Sequence, residues 1–378
     1  MGSLYHLRYA GIDLDLEADD GMMSSIASEV EPFFIAERGS ERRPGATHVN
    51  LMLARPPEGL TPPTLTPRTI KVDTSLYKHL ASDGLRWERE RGHVVLIQLT
   101  GSYVVVSPQE RSIELYQPDR ELLVLDAIRL IKGLLTVMVE HSGGVQLHSS
   151  SVEADGRGVL LLGDMWQGKT TLLLELLEYF QVSQLSCDTT VVVPKPQSEG
   201  GLAAYGWPSP FSVSHGTMAD HPVLHEYLPT ERRTVSYETL WAEGKKTVLT
   251  SQQVVRLFNS RLVPACEDLA MCLIVRFKPD EPTAVRKVEH LDELVTQIRT
   301  VYLGSRDPIY HNWLEYRRIS DDLIEANIRQ IAETLYAKVP AYVMTWAPSA
   351  VSLMKRIPFL AGVHKGLSRL RAPAVEMA

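Results

Sequence analysis

The chain is poor in cysteine, in long apolar runs and in any excess of one charge. Its three cysteines, Cys187, Cys266 and Cys272, are spaced for neither a disulfide framework nor a zinc site. Such usage fits a reducing compartment, the cytoplasm, and implies no structural metal. Thirty-nine Lys and Arg stand against 46 Asp and Glu, a formal net charge of −7, which argues against nucleic acid as a partner. The longest apolar stretch, ELLVLDAIRLIKGLLTVMVE over 121–140, is interrupted by Asp126, Arg129 and Lys132. It reads as an amphipathic helix packed on a core and not as a membrane span. The opening MGSLYHLRYAGIDLDLEADD has no apolar signal core, and His6 stands where a myristoylation signal requires Ser or Thr. No export signal is expected.

A length of 378 residues predicts roughly two domains. Residues 1–118 read as a small α+β unit. A helix with an acidic start is expected over 19–34, and short strands in HVNLMLA (48–54), HVVLIQLT (93–100), YVVVS (103–107) and SIELYQ (112–117). The Pro- and Thr-rich 55–68 reads as an exposed loop. Residues 119–345 follow as an α/β domain. It holds a strand pair around Asp155-Gly156-Arg157-Gly158, a strand VLLLG, a helix over 169–180, β-prone VSQLSCDTTVVVPK (182–195), a strand over 269–279, and helices over 290–304 and 319–339. Residues 346–378 form a basic tail carrying Lys355, Arg356, Lys365, Arg369 and Arg371 against Glu376, suited to docking an acidic partner more than to anchoring in a membrane.

One stretch carries chemistry. Gly163-Asp164-Met165-Trp166-Gln167-Gly168-Lys169-Thr170 fits G-x-x-x-x-G-K-[ST], with an apolar strand before it and TLLLELLEYF after it. A glycine-framed loop turns its N–H groups toward an anion, the following helix adds the positive end of its dipole, and a lysine reaches the β and γ phosphates. Thr170 is positioned to ligate Mg²⁺, and Thr171 belongs to the same first turn. Trp166 is too bulky for the inside of such a loop, so it must point outward, as a lid on a nucleotide base or toward a partner. Neither an LSGGQ signature nor an NKxD base reader follows. The absence of both turns the reading from transporter ATPases and GTPases toward transferases and specialised switches.

LHSSSVEADGRGVLLLGDMWQGKTTLLLELL with LSCDTTVVV, and more loosely YGWPSPFSVSHGTM over 205–218, resembles the HPr kinase/phosphorylase superfamily, whose core is similar to that of phosphoenolpyruvate carboxykinases. The resemblance implies an α/β fold with a phosphate-loop core and a mixed sheet behind a small α+β domain. It implies transfer of the γ-phosphoryl group of ATP, with Mg²⁺, to a hydroxyl acceptor on a serine of a peptide or protein, or on a small metabolite. By position it places Gly163, Gly168, Lys169 and Thr170 at the nucleotide and metal, His148 facing the γ-phosphate, and Asp188 near the metal. By analogy, oligomers are expected.

Two departures stand out. Cys187 occupies the place of the family's first Asp, the carboxylate expected to act as base. Either His148 or Asp188 assumes that role or transfer is slow, and a catalytically impaired nucleotide-binding regulator is the alternative. Met165 and Trp166 replace the small residues that relatives carry, which bears on nucleotide choice. His215 and Arg306 are further candidates for a cation at the acceptor or the γ-phosphate, although a loop Arg beside Asp307 commonly pairs with a carboxylate. Cys187 itself, in an apolar strand, reads as a small buried hydrophobe.

Overall fold

The computed structural model describes residues 2–60, 68–72, 82–180, 182–195, 200–278, 281–306 and 312–347. The basic tail beyond 347, Asp307, and part of the Pro/Thr-rich loop therefore lie outside the described residues. The chain is mixed α/β and divides into two compact units, one running to Gly144 and including Leu303–Glu325, the other Val145–Tyr302 with the residues from Ala326 on.

The first unit is built on a nine-stranded mixed sheet. In chain order it contains β1 (Ser3–Tyr9), β2 (Ile12–Ala18), helix α1 (Asp20–Val30), β3 (Ile35–Gly39), β4 (Thr47–Met52), β5 (Arg68–Val72), β6 (Ser82–Arg89), β7 (Gly92–Ile97), β8 (Ser102–Ser107), β9 (Ser112–Tyr116) and α2 (Arg120–His141). The strand order is β3-β1-β2-β4-β9-β8-β7-β6-β5. The division after Gly144 differs from the expected break at 118. The reason is that α2 packs on β2, β4, β8, β9 and α1, so its apolar side chains complete this unit's core.

Helix α2 also corrects the amphipathic reading. Asp126, Arg129 and Lys132, which interrupt the apolar run, are themselves buried, at 0%, 3% and 3% exposure. The Asp126 carboxylate accepts hydrogen bonds from the hydroxyls of Thr100 and Ser102, both at 2.5 Å, and from Arg129. A buried carboxylate is tolerated only when it is satisfied in this way.

The second unit holds a mixed sheet ordered β17-β14-β13-β10-β11-β18-β20-β19, with β12 beside β10. Its strands and helices are β10 (Val145–Ala154), β11 (Arg157–Leu162), α3 (Lys169–Tyr179), β12 (Ser183–Ser186), β13 (Thr189–Pro194), β14 (Leu202–Gly206), β15 (Phe211–Ser214), α4 (His215–Asp220), α5 (Tyr237–Ala242), β16 (Lys246–Leu249), α6 (Ser251–Leu257), β17 (Ala265–Cys266), β18 (Asp268–Phe277), β19 (Ala284–Lys287), α7 (Leu291–Thr300), α8 (Asp321–Lys338, which begins in the first unit) and β20 (Ala341–Trp346). Strands β10 and β11 form a hairpin whose turn, Asp155-Gly156, has φ of 52° and 80°. A two-residue turn of that hand matches the twist of the strands it joins. Strands β11, β18 and β20 run parallel, so their carboxyl ends share one edge. Helix α3 lays Leu172, Leu173 and Leu176 into the core made by Val152, Val159 and Leu161 of the hairpin. Each such side chain contributes about 1.5–3 kcal/mol by leaving water. Strands β15 and β16 form a separate two-stranded ribbon.

Among the described residues no helix is long and apolar enough to cross a membrane.

Candidate functional site

The loop 163–168 leaves the carboxyl end of β11 and opens α3, at the edge where three parallel strands end. Ligands of open α/β sheets bind at such an edge. The loop is fastened from the ends of β18, which pairs with β11, and of β20, the next strand beyond it. The Phe277 N–H, ending β18, donates to Gln167 Oε1 at 3.0 Å, and Trp346 Nε1, ending β20, donates to the Gln167 carbonyl at 2.8 Å. Gly163 sits where a Cβ would come within 2.9 Å of the Val275 carbonyl oxygen. Gly168 has φ of 89°, and a Cβ there would fall 1.8 Å from the Trp346 ring. Both glycines are therefore demanded by close packing, and the second also by its left-handed backbone. No side chain caps α3, so its leading N–H groups are left available to water or an anion.

Lys169 heads α3 and is 5% exposed. Its Nζ lies 3.1 Å from the Asp164 carbonyl and 3.1 Å from His148 Nε2. His148 Nε2 is in turn 3.2 Å from Asp188 Oδ1. His148 is held on β10 through its N–H to the Val301 carbonyl and by pairing opposite Thr189. Asp188 stands in the bend between β12 and β13, which Ser149 N–H and the Ser150 hydroxyl tie down through the Asp188 and Cys187 carbonyls. A single nitrogen, His148 Nε2, therefore faces both an ammonium and a carboxylate. It can accept from Lys169 or donate to Asp188, but not both at once.

Burial pushes the Lys169 ammonium down to about 8, and the Lys246 charge adds to this, while Asp188 and Asp164 oppose it. The protein packed around Asp188 pushes its carboxyl up, yet the hydrogen bond from His148 and the electrostatic pull of His148, Lys169 and Lys246 outweigh this and hold it below the usual carboxylate range. Asp188 is thus ionised, and 47% of its side chain remains open to solvent.

These groups line a cleft of about 150 Å³. Thr170 lines the same cleft, half-buried. Thr171 also reaches it, but is 5% exposed and shares a 2.7 Å hydrogen bond with the Thr217 hydroxyl, so its hydroxyl is already engaged. Met165 and Trp166 are 55% and 53% exposed, with Trp166 at φ of 66°. Asp164 turns the loop by accepting the Met165 N–H at 2.7 Å. A larger hollow of about 570 Å³ lies between β19 and the link from α8 to β20. It lacks the convergence of acid, histidine and lysine that marks the smaller cleft.

The two further candidates for a cation are not in the cleft. His215 is buried and shares a 3.2 Å hydrogen bond with the Thr247 hydroxyl, its N–H bonded to the Lys245 carbonyl. Arg306 belongs to the first unit, where it pairs with Asp321 at 2.8 Å and Glu325 at 2.9 Å. In their place the structure brings in Lys246, at the head of β16, together with the aromatic walls Trp241, Phe277 and Trp346. The Gly-Lys-Lys turn ahead of the alternating TVLT was the only local signal for Lys246, because its position depends on β15 and β16 folding back across the loop. Cys187 is 3% exposed, and burial raises its thiol. It stays protonated and cannot act as a base.

No family model matches this sequence, and no curated protein matches it. Among solved structures, the HPr(Ser) kinase/phosphatase from Coxiella burnetii is similar over 58% of this chain and 90% of that one, at 14% identity and a TM-score of 0.25. The likeness is weak.

Proposed function

We propose that the second unit is a Mg²⁺-dependent phosphotransferase that passes the γ-phosphoryl group of ATP to a hydroxyl acceptor, a serine of a peptide or protein or a small metabolite. The observation that carries this reading is the meeting of Lys169 with His148 and Asp188 beside a glycine-framed loop at the ends of parallel strands. The loop from Gly163 to Thr170 and Lys169 hold the phosphates, and His148 stands by the transferring group. The acceptor oxygen bonds to phosphorus, its proton passes to His148 or Asp188 and on to water, and the bond to the β-phosphate oxygen breaks to release ADP. Such a transition state is loose, so positioning and charge neutralisation do most of the work and little is asked of a base.

The residues present suit Mg²⁺ brought in with the nucleotide. Asp188 is an ionised carboxylate and Thr170 a hydroxyl on the same cleft. Mg²⁺ ordinarily takes one or two carboxylates, substrate phosphates and water. Among the described residues no group of three His, Cys, Asp or Glu could hold a metal alone. The ion would neutralise phosphate charge there.

The second reading is a nucleotide-binding regulator without turnover, and buried, protonated Cys187 favours it. ADP release from Mg·ATP, measured with and without serine peptides and small alcohols, separates the two. A transferase shows acceptor-dependent ADP, whereas a regulator binds ATP and releases none.

A further inference from the structure

We propose that Lys246, which lies over the Trp166 ring, is a second phosphate-binding cation for the terminal phosphoryl group of the nucleotide. The inference rests on the nucleotide reading above and names a residue that the loop motif does not contain.

Lys246 Nζ stands 4.1 Å from the centroid of the Trp166 ring. Gly244, with φ of 60°, also lies against that ring, where a Cβ would come within 3.1 Å of the indole. The turn ahead of β16 thus seats Trp166 on a bare backbone and places a cation over its face. Trp166 itself holds a left-handed conformation that a bulky residue rarely adopts, so the arrangement is imposed by the surroundings. The indole is 53% exposed, and a cation on an exposed ring is bound weakly. A phosphate dianion competes for it easily.

Lys246 also faces the reacting groups. Strand β16 pairs with β15 so that Lys246 lies opposite Ser214, and both line the cleft with Lys169, His148 and Asp188. The Lys246 charge is felt at Lys169 and at Asp188. Lys169 approaches from α3 and Lys246 from the ribbon, so the two cations enter from separate elements. The phosphoryl group in flight carries charge on three equatorial oxygens, and a cation from each side neutralises what one lysine leaves.

The test is isothermal titration calorimetry of the full-length protein with Mg·ATP and with Mg·ADP, for wild type, Lys246→Met and Lys246→Arg. Loss of one charge-assisted contact is expected to weaken ATP roughly 10- to 100-fold in Lys246→Met. ADP, lacking the terminal group, keeps its affinity, and Lys246→Arg recovers most of the ATP affinity. Equal ATP affinity in wild type and Lys246→Met overturns the Lys246 assignment and leaves the nucleotide reading standing. Equal loss of ATP and ADP also overturns it, because Lys246 then serves the fold or the inner phosphates. Absence of ATP binding by the wild type overturns the nucleotide reading itself.

Discussion

The indole nitrogen of Trp346 donates a 2.8 Å hydrogen bond to the main-chain carbonyl of Gln167, 179 residues earlier in the chain. The same Gln167 accepts the Phe277 N–H on its side chain. The loop is thereby bolted to the ends of β18 and β20, and its shape is set before any ligand arrives. Preorganised donors cost no rearrangement at the moment they are used.

Gln167→Ala removes the acceptor that satisfies the Phe277 N–H. A lost hydrogen bond of this kind costs about 1 kcal/mol. Thermal or urea unfolding should show that modest loss, and calorimetry should show Mg·ATP binding weakened severalfold as the loop loosens. Unchanged affinity would mean that this bolt does not shape the loop.

Gly156 and Gly168 both adopt left-handed backbone, at φ of 80° and 89°, but only Gly168 has a neighbour where a Cβ would be, the Trp346 ring. Gly156→Ala should cost about 1 kcal/mol from backbone strain alone. Gly168→Ala should cost more than twice as much, roughly 3 kcal/mol or above, since Trp346 must move as well. Urea melts of the two variants check the order, and equal losses would contradict the packing described.

Much of this arrangement was legible in the sequence wherever neighbours in the chain are neighbours in space. The Asp155-Gly156 turn, β11, the loop and α3 follow one another directly, and alternating or apolar runs mark β7, β8, β9 and β18. What stayed hidden depends on long-range pairing. Phe277 and Trp346 reach the loop only because β18 lies parallel beside β11 and β20 parallel beside β18, and Lys246 only because a ribbon folds across it. Asp126, Arg129 and Lys132 misled in the opposite way. Charge on a helix ordinarily marks a solvated face, and nothing near them in sequence reveals that Thr100 and Ser102 satisfy Asp126. His215 and Arg306 carry suitable chemistry, but their partners, Thr247, Asp321 and Glu325, occupy them elsewhere.

Cys187→Asp introduces the carboxylate that the sequence resemblance implies at this place, but at a position 3% exposed. Burying an unpaired carboxylate costs on the order of 3 kcal/mol or raises its pKa until it is neutral. Cys187→Asp should therefore melt well below wild type at pH 8 and gain no acceptor-dependent ADP release, while Cys187→Ser melts close to wild type. A stable variant with increased turnover would show that the pocket accepts the charge and that the missing base limits the reaction.

Burial raises the Asp220 carboxyl from its ordinary 3.8 to about 6, against the lowering pull of Tyr237 and His221 and with Glu175 and Glu178 adding to the rise. The folded chain then binds more protons than the unfolded one between these values, so this contribution to stability is present below pH 4 and is lost as pH climbs through 6. Asp220→Asn removes the cost. Its unfolding free energy should match wild type near pH 4 and exceed it at pH 7–8, by at most ~3 kcal/mol. Parallel curves across that range would contradict the shift.

Calorimetric titration of wild type and Lys169→Met with Mg·ATP tests the central point, that the bend from Gly163 to Thr170 grips a triphosphate. Saturable binding by wild type that weakens at least tenfold in Lys169→Met is the expected result. No binding by wild type, or the same affinity in both proteins, would contradict it.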